Sequence, residues 1–88
     1  MNRKLYLELC QKVSVLKDGV LGIKQNVPDE LKVVHKGIVY YPVAYELSFL
    51  DGQPNHTAVL HSLYANGITK CNLERVKQYE QERSNLVN

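Results

Sequence analysis

Between Gly37 and Thr69 the sequence has no lysine and no arginine, and Glu46 and Asp51 are its only carboxylates there. A surface that tracks nucleic acid must neutralise phosphates with cations, so this stretch cannot serve as one. The chain also lacks any apolar run near the ~18–20 residues of a membrane span. The polar, charged segment after Met1 lacks the apolar core of a secretory signal. A cytosolic location with no membrane partner is the resulting expectation. Cysteine is limited to Cys10 and Cys71. In a reducing compartment these are expected to be small buried apolar residues without a structural disulfide. The Asn55-His56-Thr57 sequon has no meaning in that setting.

The arrangements that chemistry needs are missing as well. His35, His56, His61, Cys10 and Cys71 include no C-x-x-C, H-x-x-x-H or H-x-x-E spacing. His56 and His61 point to opposite faces of a strand and lie about 140° apart on a helix. Three or four convergent ligands are therefore not expected, and no metal site is assigned. Glu46 and Asp51 are isolated, and Asp29-Glu30 reads as the start of a strand or turn. Gly19-x-x-Gly22 lacks the lysine and the strand–helix context of a phosphate loop. The one conceivable nucleophile–base pair is Cys71 with His61. A regular Asn66-Gly67 turn would set Ala65 opposite Ile68, His61 opposite Asn72 and Cys71 opposite Ser62. Thiol and imidazole would then face apart. No catalytic residue and no cofactor are expected.

What is present is one foldable domain over residues 1–88. The apolar fraction of 44% is ordinary for a globular chain, and 23% charged residues are too few for disorder. A chain this short buries only ~60–65% of its unfolded surface, so a homodimer that covers leftover apolar area is a natural outcome.

Leu5, Leu9, Val13 and Leu16, widened by Tyr6 and Cys10, predict a helix over 1–18. Asn2 is placed as its N-cap and Gly19 as its stop. Residues 19–30 form a connector, where Val20, Leu21 and Ile23 are too apolar for a purely solvated loop. An antiparallel sheet is expected over 31–73, from strands at 31–35, 38–50, 56–65 and 68–73. Lys36-Gly37, Asp51 to Asn55, and Asn66-Gly67 are the turns. Strict alternation makes Val39, Tyr41, Val43, Tyr45, Leu47 and Phe49 the core face of the long strand. Pro42 cannot donate to a ladder, so a bend or bulge is expected there. Residues 56–65 also admit a helical reading, but the Asp-Gly loop between apolar runs favours the strand. A helix over 74–84 and a frayed tail over 85–88 complete the chain, with 73–76 readable as strand or helix. The expected class is α+β: an N-terminal helix, a three- to four-stranded antiparallel meander and a C-terminal helix. The sheet is either curled in an SH3-like manner or open with helices on one face, and the apolar content of the helices favours the latter.

The run Tyr40 to Phe49, the Asp51-Gly52 turn, His56 to His61, Ala65-Asn66 and Cys71 to Val76 resemble a group of small proteins from bacteriophages and prophages of Gram-positive bacteria. Leu16 to Gly22 and Asn26-Val27-Pro28 extend the resemblance. It implies an accessory protein of a mobile element, acting in a bacterial cytoplasm by occluding or redirecting a host or phage protein. No functional residues come with it.

The expected function is therefore non-catalytic binding of another protein. Tyrosine-rich, charge-poor patches suit such interfaces, and the non-core face of the long strand (Tyr40, Pro42, Ala44, Glu46) with Tyr64 is the candidate surface. The alternative is a nucleic-acid module that uses Lys70, Arg75, Lys77 and Arg83, a patch diluted by Glu74, Glu80 and Glu82.

Overall fold

The computed structural model describes residues 1–19, 27–63 and 67–86, with side chains described at 1–16, 27–63 and 67–82. Expectations on Val20, Leu21, Ile23, Tyr64, Ala65 and Asn66 lie outside the described residues. Helix α1 spans Arg3–Gly19. The Asn2 side-chain oxygen accepts from the Leu5 amide at 2.8 Å, which satisfies one donor of the free first turn. Tyr6, Leu9 and Val13 are buried, with Leu5, Cys10 and Leu16 packed around them. The stripe is thus centred on Tyr6 rather than on Leu5.

Five strands form one antiparallel sheet: β1 (Val33–His35), β2 (Ile38–Leu50), β3 (Gln53–Ser62), β4 (Ile68–Asn72) and β5 (Lys77–Gln78), in the order β4-β3-β2-β1-β5. A short helix α2 (Tyr79–Leu86) ends the described chain. This is the α+β class expected, with residues 56–62 of the predicted 56–65 strand in strand conformation and one strand more than the meander predicted.

The extra strand arises at the C-terminal end. Where residues 74–84 read as a helix, Leu73–Arg75 is a single 3-10 turn. Lys77 and Gln78 then pair with Val34 and Val33 before α2 begins. Asn72 caps the turn by accepting from the Glu74 amide at 2.8 Å. Only Leu73 to Val76 separates β4 from β5, although the two strands stand at opposite ends of the sheet order. So few residues reach about 18 Å at most. The sheet must therefore curl to bring its ends near each other, yet it does not close, because β4 and β5 share no pairing.

Two tight turns set the hairpins. Lys36 (φ 53°) and Gly37 (φ 75°) join β1 to β2, and Asp51 (φ 52°) and Gly52 (φ 78°) join β2 to β3. Left-handed backbone at both central residues is the type I′ combination, whose twist matches the flanking strands. The second turn is therefore two residues long, and Gln53, Pro54 and Asn55, expected in the loop, belong to β3. The β3–β4 register sets His61 opposite Ile68 and Ala58 opposite Cys71. It departs by four residues from the predicted Ala65–Ile68 pairing.

A β-bulge organises β2. The pairing runs Pro42↔Leu60, then Ala44↔Val59, so Val43 is the extra residue. One inserted residue inverts the side-chain phase beyond it. Tyr40 and Pro42 before the bulge therefore share a face with Tyr45, Leu47 and Phe49 after it. That face meets Ala58 and Leu60 of β3 and is covered by α1. Val39 and Tyr41, predicted to share a core face with Tyr45, lie on the opposite face; Tyr41 is nonetheless buried there, as expected of a core residue, with its ring 5.1 Å from that of His61.

The Tyr6 hydroxyl is fixed at the bulge, 2.9 Å from the carbonyl oxygens of both Ala44 and Val59. Its single proton is shared between the two residues that face each other there. Tyr6 is fully buried, and a phenol hydroxyl left without a partner in such a place is costly. Replacement by Phe keeps the ring and removes this bond. Tyr6→Phe is expected to lower unfolding stability by about 1–2 kcal/mol, read as a lower urea midpoint at unchanged slope. An unchanged midpoint would show that the hydroxyl contributes nothing.

Candidate functional site

The structure divides the predicted surface. Tyr40 is 7% exposed and Pro42 is fully buried. Both lie under α1 because the bulge puts them on the core face, and neither can contact a partner. Ala44 and Glu46 are exposed on the other face, with Glu46 paired to Lys70 at 3.0 Å. Tyr64 lies outside the described residues. The four described residues do not form one surface.

The basic patch fares similarly. Lys70 on β4 is held by Glu46, and the Lys77 ammonium on β5 lies 3.8 Å from a Glu82 carboxylate oxygen. Arg75 is exposed on the 3-10 turn, and the Arg83 side chain lies outside the described residues. Each described lysine of the patch faces an acid, which cancels much of its attraction for phosphate.

Leu7, Val15, Ile38 and Ile68 are exposed at separate places, and three further large apolar side chains stand near one another at the far end of the β2–β3 hairpin. β1 pairs with β2 only through Tyr40, and β4 pairs with β3 only from Thr57 onward. Residues 47–56 therefore project as a two-stranded arm tipped by Asp51-Gly52. Leu47, Phe49 and Leu50 are 46%, 66% and 62% exposed. Leu47 and Phe49 continue the face that is core nearer the bulge, and Leu50 lies on the reverse face. A bare two-stranded ribbon is marginal in water, and three large apolar side chains on its tip add unfavourable hydration. Alternation alone predicts Leu47 and Phe49 in the core. A signal for their exposure was present in the lengths. A 17-residue helix extends about 25 Å and a 13-residue strand about 43 Å, so α1 cannot cover β2 from end to end.

At the base of the arm the Tyr45 hydroxyl and His56 Nδ1 are hydrogen-bonded, and the two rings stack with centroids 5.9 Å apart. A shallow recess beside them is lined by Arg3, His56, Leu73 and Glu74, with Met1 and Asn2. This pair locks the arm to the covered part of the sheet.

Cys71 faces the core side with Ala58, and His61, opposite Ile68, faces the other way. Their separation follows from strand parity. Among the described residues no three His, Cys, Asp or Glu side chains come together as metal ligands. No helix among them is long and apolar enough to cross a membrane.

Both thiols are disfavoured as thiolates. Burial pushes Cys10 up to about 11, with the neighbouring Tyr6 hydroxyl acting in the opposite direction. Burial also raises Cys71, partly offset by Arg75 and Lys36. Burial likewise raises the Tyr6 phenol, and the neighbouring cysteines raise it further. All three groups fold in their neutral forms. An acid whose folded pKa is raised lends stability below its unfolded pKa and loses it as pH rises through the folded value. Stability is therefore expected to hold to about pH 8 and to fall steadily from pH 9 to 11. Alkylation of Cys10 by iodoacetamide at pH 8 should be at least ~100-fold slower than that of an unperturbed thiol. Mass spectrometry of the time course checks this, and reaction at the free-thiol rate would contradict the burial of Cys10.

Compared with known proteins, the chain matches no family model, no curated protein and no solved structure.

Proposed function

We propose that the protein is a non-catalytic accessory protein of a phage or other mobile element, which binds and modulates another protein through the β2–β3 arm. The observation that carries this reading is the arm itself: Leu47, Phe49 and Leu50 stand exposed on a ribbon whose only charge between residues 47 and 56 is Asp51. Large apolar side chains at the centre of a charge-poor patch are what a protein partner desolvates with gain. Phosphate backbones offer them nothing.

The arm also suits capture geometrically. Its root is fixed by the Tyr45–His56 contact and its tip by a type I′ turn, so little conformational freedom is lost on docking. The binding side chains are presented on strands, spaced two apart, with Leu47 and Phe49 side by side on one face. Modulation then consists of covering a surface on the partner, as the resemblance to phage proteins implies.

A photo-crosslinking amino acid at Phe49 tests the reading in the native host cell, with the same probe at Lys77 as the control position. A discrete adduct with a different protein is expected at Phe49 only. It should fall at least ~10-fold when Leu47→Lys is added, since a buried apolar anchor is worth ~2 kcal/mol or more. Equal adducts from both positions, or nucleic acid as the captured species, would overturn it.

A further inference from the structure

The outer half of β2 has a backbone edge that no described strand covers, since β1 ends its pairing at Tyr40. The Asp51-Gly52 turn determines which groups face that edge. Across a two-residue turn the flanking residues, Leu50 and Gln53, are hydrogen-bonded to each other. Bonded and non-bonded pairs then alternate along an antiparallel ladder. Ser48 and Glu46 are therefore bonded across to Asn55 and Thr57, while Phe49, Leu47 and Tyr45 turn their N–H and C=O groups outward. Pro54, which has no N–H, falls opposite Phe49 at a non-bonded position, as this phase requires.

The two edges of the arm are thus unequal. On the β3 side Pro54 sits at an outward-facing position and blocks strand addition. On the β2 side no proline, lysine or bulge interrupts residues 45–49. Such an edge is a template for another strand.

Resting on the reading of the arm as a binding face, we propose that this edge pairs antiparallel with the same edge of a second copy of the chain, across a two-fold axis at Leu47. Charge selects this register. With the axis at Glu46, two carboxylates would stand directly opposite each other, which is destabilising. With the axis at Ser48, each Glu46 would face Leu50 of the second copy. With the axis at Leu47, Glu46 faces Ser48, and Leu50 faces the exposed Ala44. On the other face Tyr45 meets Phe49, and Leu47 meets its own equivalent. Polar residues meet polar residues and apolar meet apolar along the whole contact, and every outward backbone group from Tyr45 to Phe49 finds a partner. Two five-stranded sheets become one. The two arms lie side by side and offer a third protein a doubled strip of Leu47 and Phe49.

Sedimentation equilibrium of the full chain, with Leu47→Lys and Ser48→Lys, tests the interface and its register. The unmodified chain is expected to form a reversible dimer below ~1 mM. Leu47→Lys should weaken the dimer at least ~10-fold, because two ammonium groups meet on the axis. Ser48→Lys should tighten it by ~3- to 30-fold at low salt, because each new ammonium stands opposite a Glu46, with two such pairs per dimer. That gain should vanish near 0.5 M salt. A chain that stays monomeric to ~1 mM, or a Ser48→Lys variant whose dimer is weaker or unchanged, overturns the proposal. Should Leu47→Lys fail to fold by circular dichroism, the Ser48→Lys result decides alone. Dimerisation without a heterologous adduct would sink the binding function and leave the interface standing. A heterologous adduct from a strictly monomeric chain would do the reverse.

Discussion

One buried hydroxyl holds the two layers of this protein in register. Tyr6 projects from α1 and shares its proton between the carbonyls of Ala44 and Val59, the pair at which β2 changes phase. A bulge leaves a strand locally kinked and its ladder disrupted. The phenol supplies a donor at that point, and its ring fills the space under it. Without the bulge, the Tyr40 and Pro42 segment and the Tyr45 segment could not both face the helix. Without the tyrosine, the carbonyls at the bulge would lose the side-chain donor that reaches them from the helix. The burial that keeps Tyr6, Cys10 and Cys71 neutral comes from the same layer contact.

Much of this was legible in the residues. β-branched and aromatic alternation marked β2 at its observed limits, Ile38 to Leu50, and Lys36-Gly37 and Asp51-Gly52 marked its turns. Pro42 marked the irregularity. The consequence of that irregularity was not legible, because Val43 is apolar and fits the alternation it interrupts. Reading straight through it put Tyr41 in the core, where it is buried, but on one face with Tyr45, from which the bulge separates it. It also made Tyr40 and Pro42 surface residues when they are core. The β3–β4 pairing was set four residues away from its true register by the Asn66-Gly67 dipeptide. A shift of four preserves parity, so the conclusion that Cys71 and His61 face apart was unaffected. Lys77 and Gln78 carry no strand signal at all, because they are extended only through their pairing with Val33 and Val34.

The candidate site shows the same division. The charge-poor segment was visible in the sequence, but its two halves have different fates. Tyr40, Pro42 and Tyr45 lie on the face covered by a helix that is too short to reach further. From Leu47 to Leu50 the same composition stands in water. Apolar residues under the helix stabilise the fold by burial, whereas those beyond it cost solvation until something covers them. The candidate protein-binding surface therefore follows from a mismatch in element lengths, which periodicity alone does not report.

The central claim is that the extra residue at the bulge, held by Tyr6, puts both halves of β2 on the helix face. The most direct measurement is the urea-unfolding free energy of the chain with Val43 deleted. Removing one residue restores unbroken alternation, so one half of β2 must turn its apolar side chains to solvent. The account predicts a loss of more than ~3 kcal/mol, or the absence of a cooperative transition. A deletion variant that unfolds cooperatively within ~0.5 kcal/mol of the parent chain would contradict it.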